Sequence, residues 1–175
     1  MHSIQGNHDQ AACNPIFAEG FNILARSAIL WTRNNLTDKN IHFLNGLEES
    51  RRLSCGLACH GSPENTASYI ALPFQARAIL KKMKKGIWGK INFCLFGHIP
   101  PDGTIRLNDE DFYLLNPGSV GQPRNGEPRS SYCILDTEKN SVTFKLVEYD
   151  ILSTMKKIVV ADLPEFFAKR LLNGT

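Results

Sequence analysis

The sequence lacks any run of apolar residues approaching the roughly 18 to 20 that a membrane-spanning helix needs, so no bilayer partner is expected. Its opening residues, Met1-His2-Ser3-Ile4, carry no apolar signal-peptide core. Cysteine is sparse: five residues at positions 13, 55, 59, 94 and 133, odd in number and without a Cys-x-x-Cys pair. That pattern argues against a disulfide framework and for free thiols in a reducing compartment. An excess of one charge is also missing. Twenty basic against 17 acidic residues leave a net charge of +3, too little to make nucleic acid an obligatory partner. No repeat, low-complexity tract or compositional break divides the chain. The expectation is one domain over residues 1–175, cytoplasmic, with 42% apolar residues to fill a single core.

The patterning alternates between helix and strand. Phe21, Leu24, Ala25, Ala28, Ile29 and Trp31 recur at helical spacing and predict an amphipathic helix over 21–34. Thr37 offers an N-cap to a short helix carrying Ile41 and Leu44 and ended by Gly46. Leu53, Cys55, Leu57 and Cys59 alternate with smaller residues as a strand does, stopping at His60-Gly61-Ser62-Pro63. A helix is predicted from Phe74 to Lys85, after Pro73, and its run of Lys81, Lys82, Lys84 and Lys85 reads as a solvated C-terminal end complementing the helix dipole. The apolar run Ile91 to Phe96 then ends at Gly97-His98. Short strands follow at 112–115, 132–136 and 142–149, and helices return at the end, one capped by Asp150 and running to Lys157, one from Pro164 to Leu172 with Asn173-Gly174 as its stop. Strand-helix alternation followed by a cluster of strands predicts a layered α/β sandwich. Cys55, Cys59, Cys94 and Cys133 fall within the strand-like runs, where a thiol packs as a small hydrophobe.

Three loops beside or after predicted strands present ligand-type groups: Asn7 with His8, His60, and His98. Open α/β sheets bind ligands beyond the carboxyl ends of their strands, so this placement favours one shared site. Any one of these histidines alone is better read as an ordinary residue satisfied by backbone groups. The ordered set Gly6-Asn7-His8-Asp9, His60-Gly61-Ser62-Pro63 and Gly97-His98 is far more specific.

With those loops, Glu19-Gly20-Phe21-Asn22, Trp31-Thr32-Arg33 and the segment from Leu114 through Asn116-Pro117-Gly118-Ser119 to Arg124, the sequence resembles the calcineurin-like metallophosphoesterases. The likeness is to their bacterial and archaeal phosphodiesterase branch, which includes diadenosine-tetraphosphatase-like proteins, and it runs the length of the chain. It implies a four-layer α/β/β/α sandwich, incomplete here for want of its first strands and helices. It also implies a phosphoester substrate cleaved by water at two divalent transition-metal ions (Mn, Fe, Ni or Zn). Carried over by position, Asn7, His60 and His98 match the ligands of the second metal. His8 matches the histidine that assists the leaving group, and Asp9 the residue that orients it. Neutral imidazoles and an amide oxygen suit such ions, and an imidazolium can donate to a departing alkoxide. Arg124 or Arg129 would meet a phosphate as a bidentate donor; the alternative is that Pro117-Gly118 and Gly121 only form turns and the arginines are solvated. Ser119 has no general-base arrangement around it, so a serine nucleophile is not expected.

The departures from the family pattern are coherent. The sequence contains no Asp-x-His and no Gly-Asp-x-x-Asp, and Gly97-His98 continues Ile99-Pro100 where the family places a further histidine. His42 lies in a predicted helix and is no substitute. The expectation is therefore an N-terminally truncated family member with the ligands of at most one metal and slow or absent hydrolysis. Two alternatives stand beside it: a catalytically silent scaffold, as in the retromer coat's metallophosphoesterase-like subunit, and an inactive fragment. The resemblance further implies unpaired strand edges, which favour self-association.

Overall fold

The computed structural model describes residues 2–54, 56–65, 67–70, 72–98, 106–109 and 112–175, the side chains of 106–109 excepted. Cys55 and the Ile99-Pro100 pair lie outside the described residues. The elements in chain order are helix α1 (Asn7–Cys13), a 3-10 turn (Pro15–Gly20), α2 (Ile23–Asn35), α3 (Asp38–Asn45), β1 (Ser50–Arg52), β2 (Gly56–Cys59), α4 (Pro73–Lys84), β3 (Phe93–Phe96), β4 (Arg106–Asp109), β5 (Phe112–Leu115), β6 (Ser130–Asp136), β7 (Ser141–Val147), α5 (Ile151–Val160) and α6 (Glu165–Asn173).

The fold is mixed α/β. Five strands form one sheet in the order β1-β2-β3-β5-β4, and β6 and β7 form a separate antiparallel pair. The centre of the larger sheet is parallel, with Cys59 opposite Phe96 and Leu95 opposite Leu115. Parallel neighbours end on the same side, so the residues following β2, β3 and β5 emerge together at one edge. Alternate side chains of these strands, Leu57, Cys59, Cys94, Phe96 and Leu114, face α4, where Ala76, Ile79, Leu80 and Met83 complete a buried core. Full burial of each large member contributes roughly 1.5–3 kcal/mol. A second small core, Ala11, Ala18 and Ile29 with Phe21 against it, joins α1, α2 and the 3-10 turn.

Most element boundaries follow from local chemistry. Thr37 Oγ1 accepts from Asn40 N, Asp150 Oδ1 accepts from Ser153 N, and Gly174 closes α6 at φ +62°. The lysine run forms the last turn of α4, as expected, and Lys82 pairs with Glu64 at 2.5 Å. Three expectations need correction. The predicted 21–34 helix begins at Ile23, because Asn22 accepts from Ala25 N as its cap and leaves Phe21 outside. The strand predicted over 53–59 begins only at Gly56: Leu53 N donates to Gly56 O at 2.8 Å, and β1, upstream of it, pairs antiparallel with β2. The loop expected at Asn7-His8 is the first turn of α1, with Gly6 as its N-cap and Gly6 N donating to Asp9 Oδ2 at 2.8 Å.

Candidate functional site

The chain ends of β2 and β3 and the start of α1 meet at His60. Its Nε2 lies 2.9 Å from Asn7 Oδ1 and 3.0 Å from His98 Nδ1, across separations of 53 and 38 residues. The approach is close because glycines flank the ring. A Cβ on Gly6 would stand 3.1 Å from His60 Nδ1, and one on Gly97 would stand 3.3 Å from the same atom. Gly6-Asn7 and Gly97-His98 thus each combine a ligand-type residue with the gap its neighbour needs. His98 itself has φ +49°, a left-handed conformation uncommon outside glycine, held here at the end of a buried strand.

These contacts are those of one His60 N–H shared between two acceptors, and equally those of three donor atoms meeting at a cation. Ligand distances of about 2.1 Å put neighbouring donors of a coordination shell roughly 3.0–3.4 Å apart, so the spacing of Asn7, His60 and His98 fits a single divalent ion. The donor chemistry fits as well, since metal ligation needs neutral imidazole. Burial, then the nearby His60, His8 and Arg124, pushes His98 down to about 4. Burial also lowers His60, with Asp9 opposing and His8 reinforcing the shift. Among the described residues, no group of three or more His, Cys, Asp or Glu side chains is placed to hold a metal; this set is two imidazoles and one amide.

A cavity of about 420 Å³ surrounds these atoms, and His8, Tyr69, Ser119, Gln122 and Arg124 line it together with them. His8 projects from the first turn of α1, its ring edge-on to Phe21 at 4.8 Å. Solvent reaches part of the ring, yet crowding by protein atoms lowers its pKa, helped by Arg124 and opposed by Asp9. Asp9 lines the same cavity, but the hydrogen bond described for its carboxylate goes to Gly6 N, and its influence on His8 is one of charge. Arg124 faces the cavity and touches Gln122 Oε1 at 3.3 Å. Arg129 is not brought to it. Its Nε and Nη2 form a fork on Glu127, at 2.8 and 2.7 Å, and the fork pushes that half-buried carboxyl down to about 2. His42 sits exposed on α3.

The segment from Asn116 to Arg124 both turns and lines. Asn116 is fully buried, its Nδ2 donating to Gly97 O and its Oδ1 accepting from Gly118 N at 2.9 Å. Gly118 takes φ +90°, and Ser119 Oγ accepts from Gln122 N. The turn is therefore anchored to the His98 strand end, and it delivers Ser119, Gln122 and Arg124 to the cavity. Tyr69 was missed from the sequence. Its ring lies over His98 with centroids 3.8 Å apart, and no periodicity in its loop signals that contact.

No family model matches the sequence. An uncharacterized protein of Methanocaldococcus jannaschii, MJ0912, is 32% identical over 188 residues, covering 98% of this chain and 75% of the relative. The crystal structure of a metallophosphoesterase from Sphaerobacter thermophilus superimposes with a TM-score of 0.79 and 31% identity, over 99% of this chain and 76% of that one. The chain belongs to the metallophosphoesterase family. The hypothetical protein PH1004 from Pyrococcus horikoshii OT3 shares the fold at a TM-score of 0.85 and 21% identity, covering 99% of this chain and 73% of that protein. Membership supports a hydrolase of the phosphoesterase type and a divalent-metal chemistry in general. Among the described residues, no helix is long and apolar enough to cross a membrane.

Proposed function

We propose that this metallophosphoesterase hydrolyses phosphoesters at a site where Asn7 Oδ1, His60 Nε2 and His98 Nδ1 hold one divalent transition-metal ion, Mn, Fe, Ni or Zn. The observation that carries the reading is the approach of His60 Nε2 to Asn7 Oδ1 at 2.9 Å and to His98 Nδ1 at 3.0 Å in a family member's cavity. A bound ion would supply Lewis-acid polarisation of a phosphoryl oxygen and acidification of the attacking water. Arg124 offers a guanidinium to the remaining phosphoryl oxygens. His8, which lines the same cavity, would give a proton to the departing oxygen; burial and Arg124 lower its pKa, and the Asp9 carboxylate works against that shift in favour of the protonated ring. His60 and His98, held neutral, keep their lone pairs for the ion.

Three neutral ligands bring no negative charge to offset desolvation of a dication, so affinity is weak and turnover slow. The test is hydrolysis of bis(4-nitrophenyl) phosphate with manganese added. The expected result is slow turnover that EDTA removes; turnover that persists in EDTA overturns the metal reading, and rapid turnover without added metal overturns the weak-site reading.

A second reading, a silent scaffold that keeps the fold for protein binding, is favoured by the absence of any carboxylate from the ligand set. It predicts that neither manganese nor zinc binds the purified protein above background. Stoichiometric metal after dialysis against either ion eliminates it.

A further inference from the structure

A second, larger cavity of about 860 Å³ adjoins the first and shares Asn7, His8, Tyr69, Gln122 and Arg124 with it. It runs from these residues between α2 and the C-terminal pair α5 and α6. Such a volume lies within the ordinary range for an organic ligand and far exceeds the needs of a phosphate. Its walls are aromatic and aliphatic, with Phe21, Phe166 and Phe167 prominent and Ala28 on the α2 side. Among the side chains that line the groove charge has one sign, that of Arg124 and Arg170, with no Asp or Glu among the described residues; Thr175, the last residue of the chain, also lines it. Arg170 lies over the Phe166 ring at 5.1 Å, and its Nε donates to the Thr175 carbonyl. The two guanidiniums are close enough for Arg124, after burial, to depress the Arg170 pKa.

Two cations held in one partly desolvated groove repel, and an anion between them would relieve that repulsion. Aromatic walls accept a flat ring by stacking. His8 stands where the two cavities join, so whatever leaves the phosphorus beside it departs toward this groove. Resting on the assignment of His8 as donor to the leaving oxygen, we infer that the groove takes the leaving group of the substrate, and that this group is an aromatic alcohol bearing a further anionic substituent. The substrate class is thus a phosphoester of a charged aryl or heteroaryl alcohol. Arg170 is a specificity determinant of that class, since it lines the groove and not the cavity around His60 and His98.

Fluorescence titration of the full chain with 6-hydroxynaphthalene-2-sulfonate, an aromatic alcohol carrying one anion, tests this in EDTA, with 2-naphthol as the uncharged comparison. The wild type should bind the sulfonate about tenfold more tightly than 2-naphthol. Arg170→Met should bring the two to parity, and Arg170→Lys should restore most of the preference while controlling for folding. Ala28→Trp should weaken both ligands by filling the groove. Equal affinity for the two ligands in the wild type, a sulfonate preference that survives Arg170→Met, or full binding in a folded Ala28→Trp protein each overturns the inference. Because the titration excludes metal, its failure is separate from failure of the metal-dependent hydrolysis assay.

Discussion

The Tyr69 ring lies tilted over the His98 imidazole, with centroids 3.8 Å apart and planes 36° from parallel. A ring packed against an imidazole fixes the direction in which the imidazole's lone pair points. Groups that orient metal ligands from behind typically change affinity 10- to 100-fold when removed. Tyr69→Ala should therefore weaken manganese binding about tenfold, while Tyr69→Phe, which keeps the ring, should bind as the wild type does. Isothermal titration of the three proteins checks this, and equal loss in both variants would show that the hydroxyl matters instead.

Removing one of the proposed ligands is a harsher change. His60 touches both other members of the set, so His60→Ala should abolish measurable metal uptake and lower metal-dependent turnover at least about 100-fold, against a smaller loss for Asn7→Ala, whose amide is the weaker donor. Elemental analysis after gel filtration provides the measurement.

In the metal-free protein the depressed imidazoles make stability depend on pH. His98 is lowered to about 4, and His60 and His8 are lowered as well. An unfolded histidine titrates near 6.5, so between roughly 6.5 and 4 the unfolded chain binds more protons than the folded one. Stability then rises with pH across that window. Thermal melts in EDTA should show a midpoint that falls as pH drops from 7 to 4; a midpoint flat over that range would contradict neutral, half-buried rings. Saturating metal should steepen the fall, because protons compete with it for the same nitrogens.

Gly118 is the turn residue least able to change. It has φ +90°, and a Cβ there would lie 1.7 Å from Ser131 Oγ, itself donating to Pro117 O. Gly118→Ala should destabilise by about 2 kcal/mol or more, combining left-handed strain with the displaced hydroxyl. It should also disturb Ser119, Gln122 and Arg124. Urea unfolding gives the first quantity, and substrate KM the second.

The accessible surface is 10734 Å², against roughly 8,600 Å² for a compact monomer of this 19.6 kDa mass. Ile23 (83%), Val160 (78%) and Ile16 (72%) are among the exposed apolar side chains. We propose self-association that covers part of this surface. Light scattering should report a dimer or larger species, shifted toward monomer by Ile23→Glu, whereas a monodisperse monomer at high concentration would rule the association out.

The sequence by itself determined the helices with caps and amphipathic stripes, the apolar strands ending at His60 and His98, and the residue types able to bind a metal. Those features are local: a cap, a period, or a motif is readable within a few residues. Alternation alone did not reveal that the strand starts at Gly56 and pairs with Ser50–Arg52, because pairing depends on a partner strand. Nor did it reveal that Asn7-His8 opens a helix, since the cap is a backbone N–H meeting the Asp9 carboxylate. Only the tertiary structure decided that Arg124 faces the cavity while Arg129 is spent on Glu127, that Tyr69 covers His98, and that α5 and α6 wall a groove beside His8. Each of these is a contact between side chains far apart in the chain or free to choose among neighbours. Their energies depend on where the backbone places them, and composition and spacing carry no record of that.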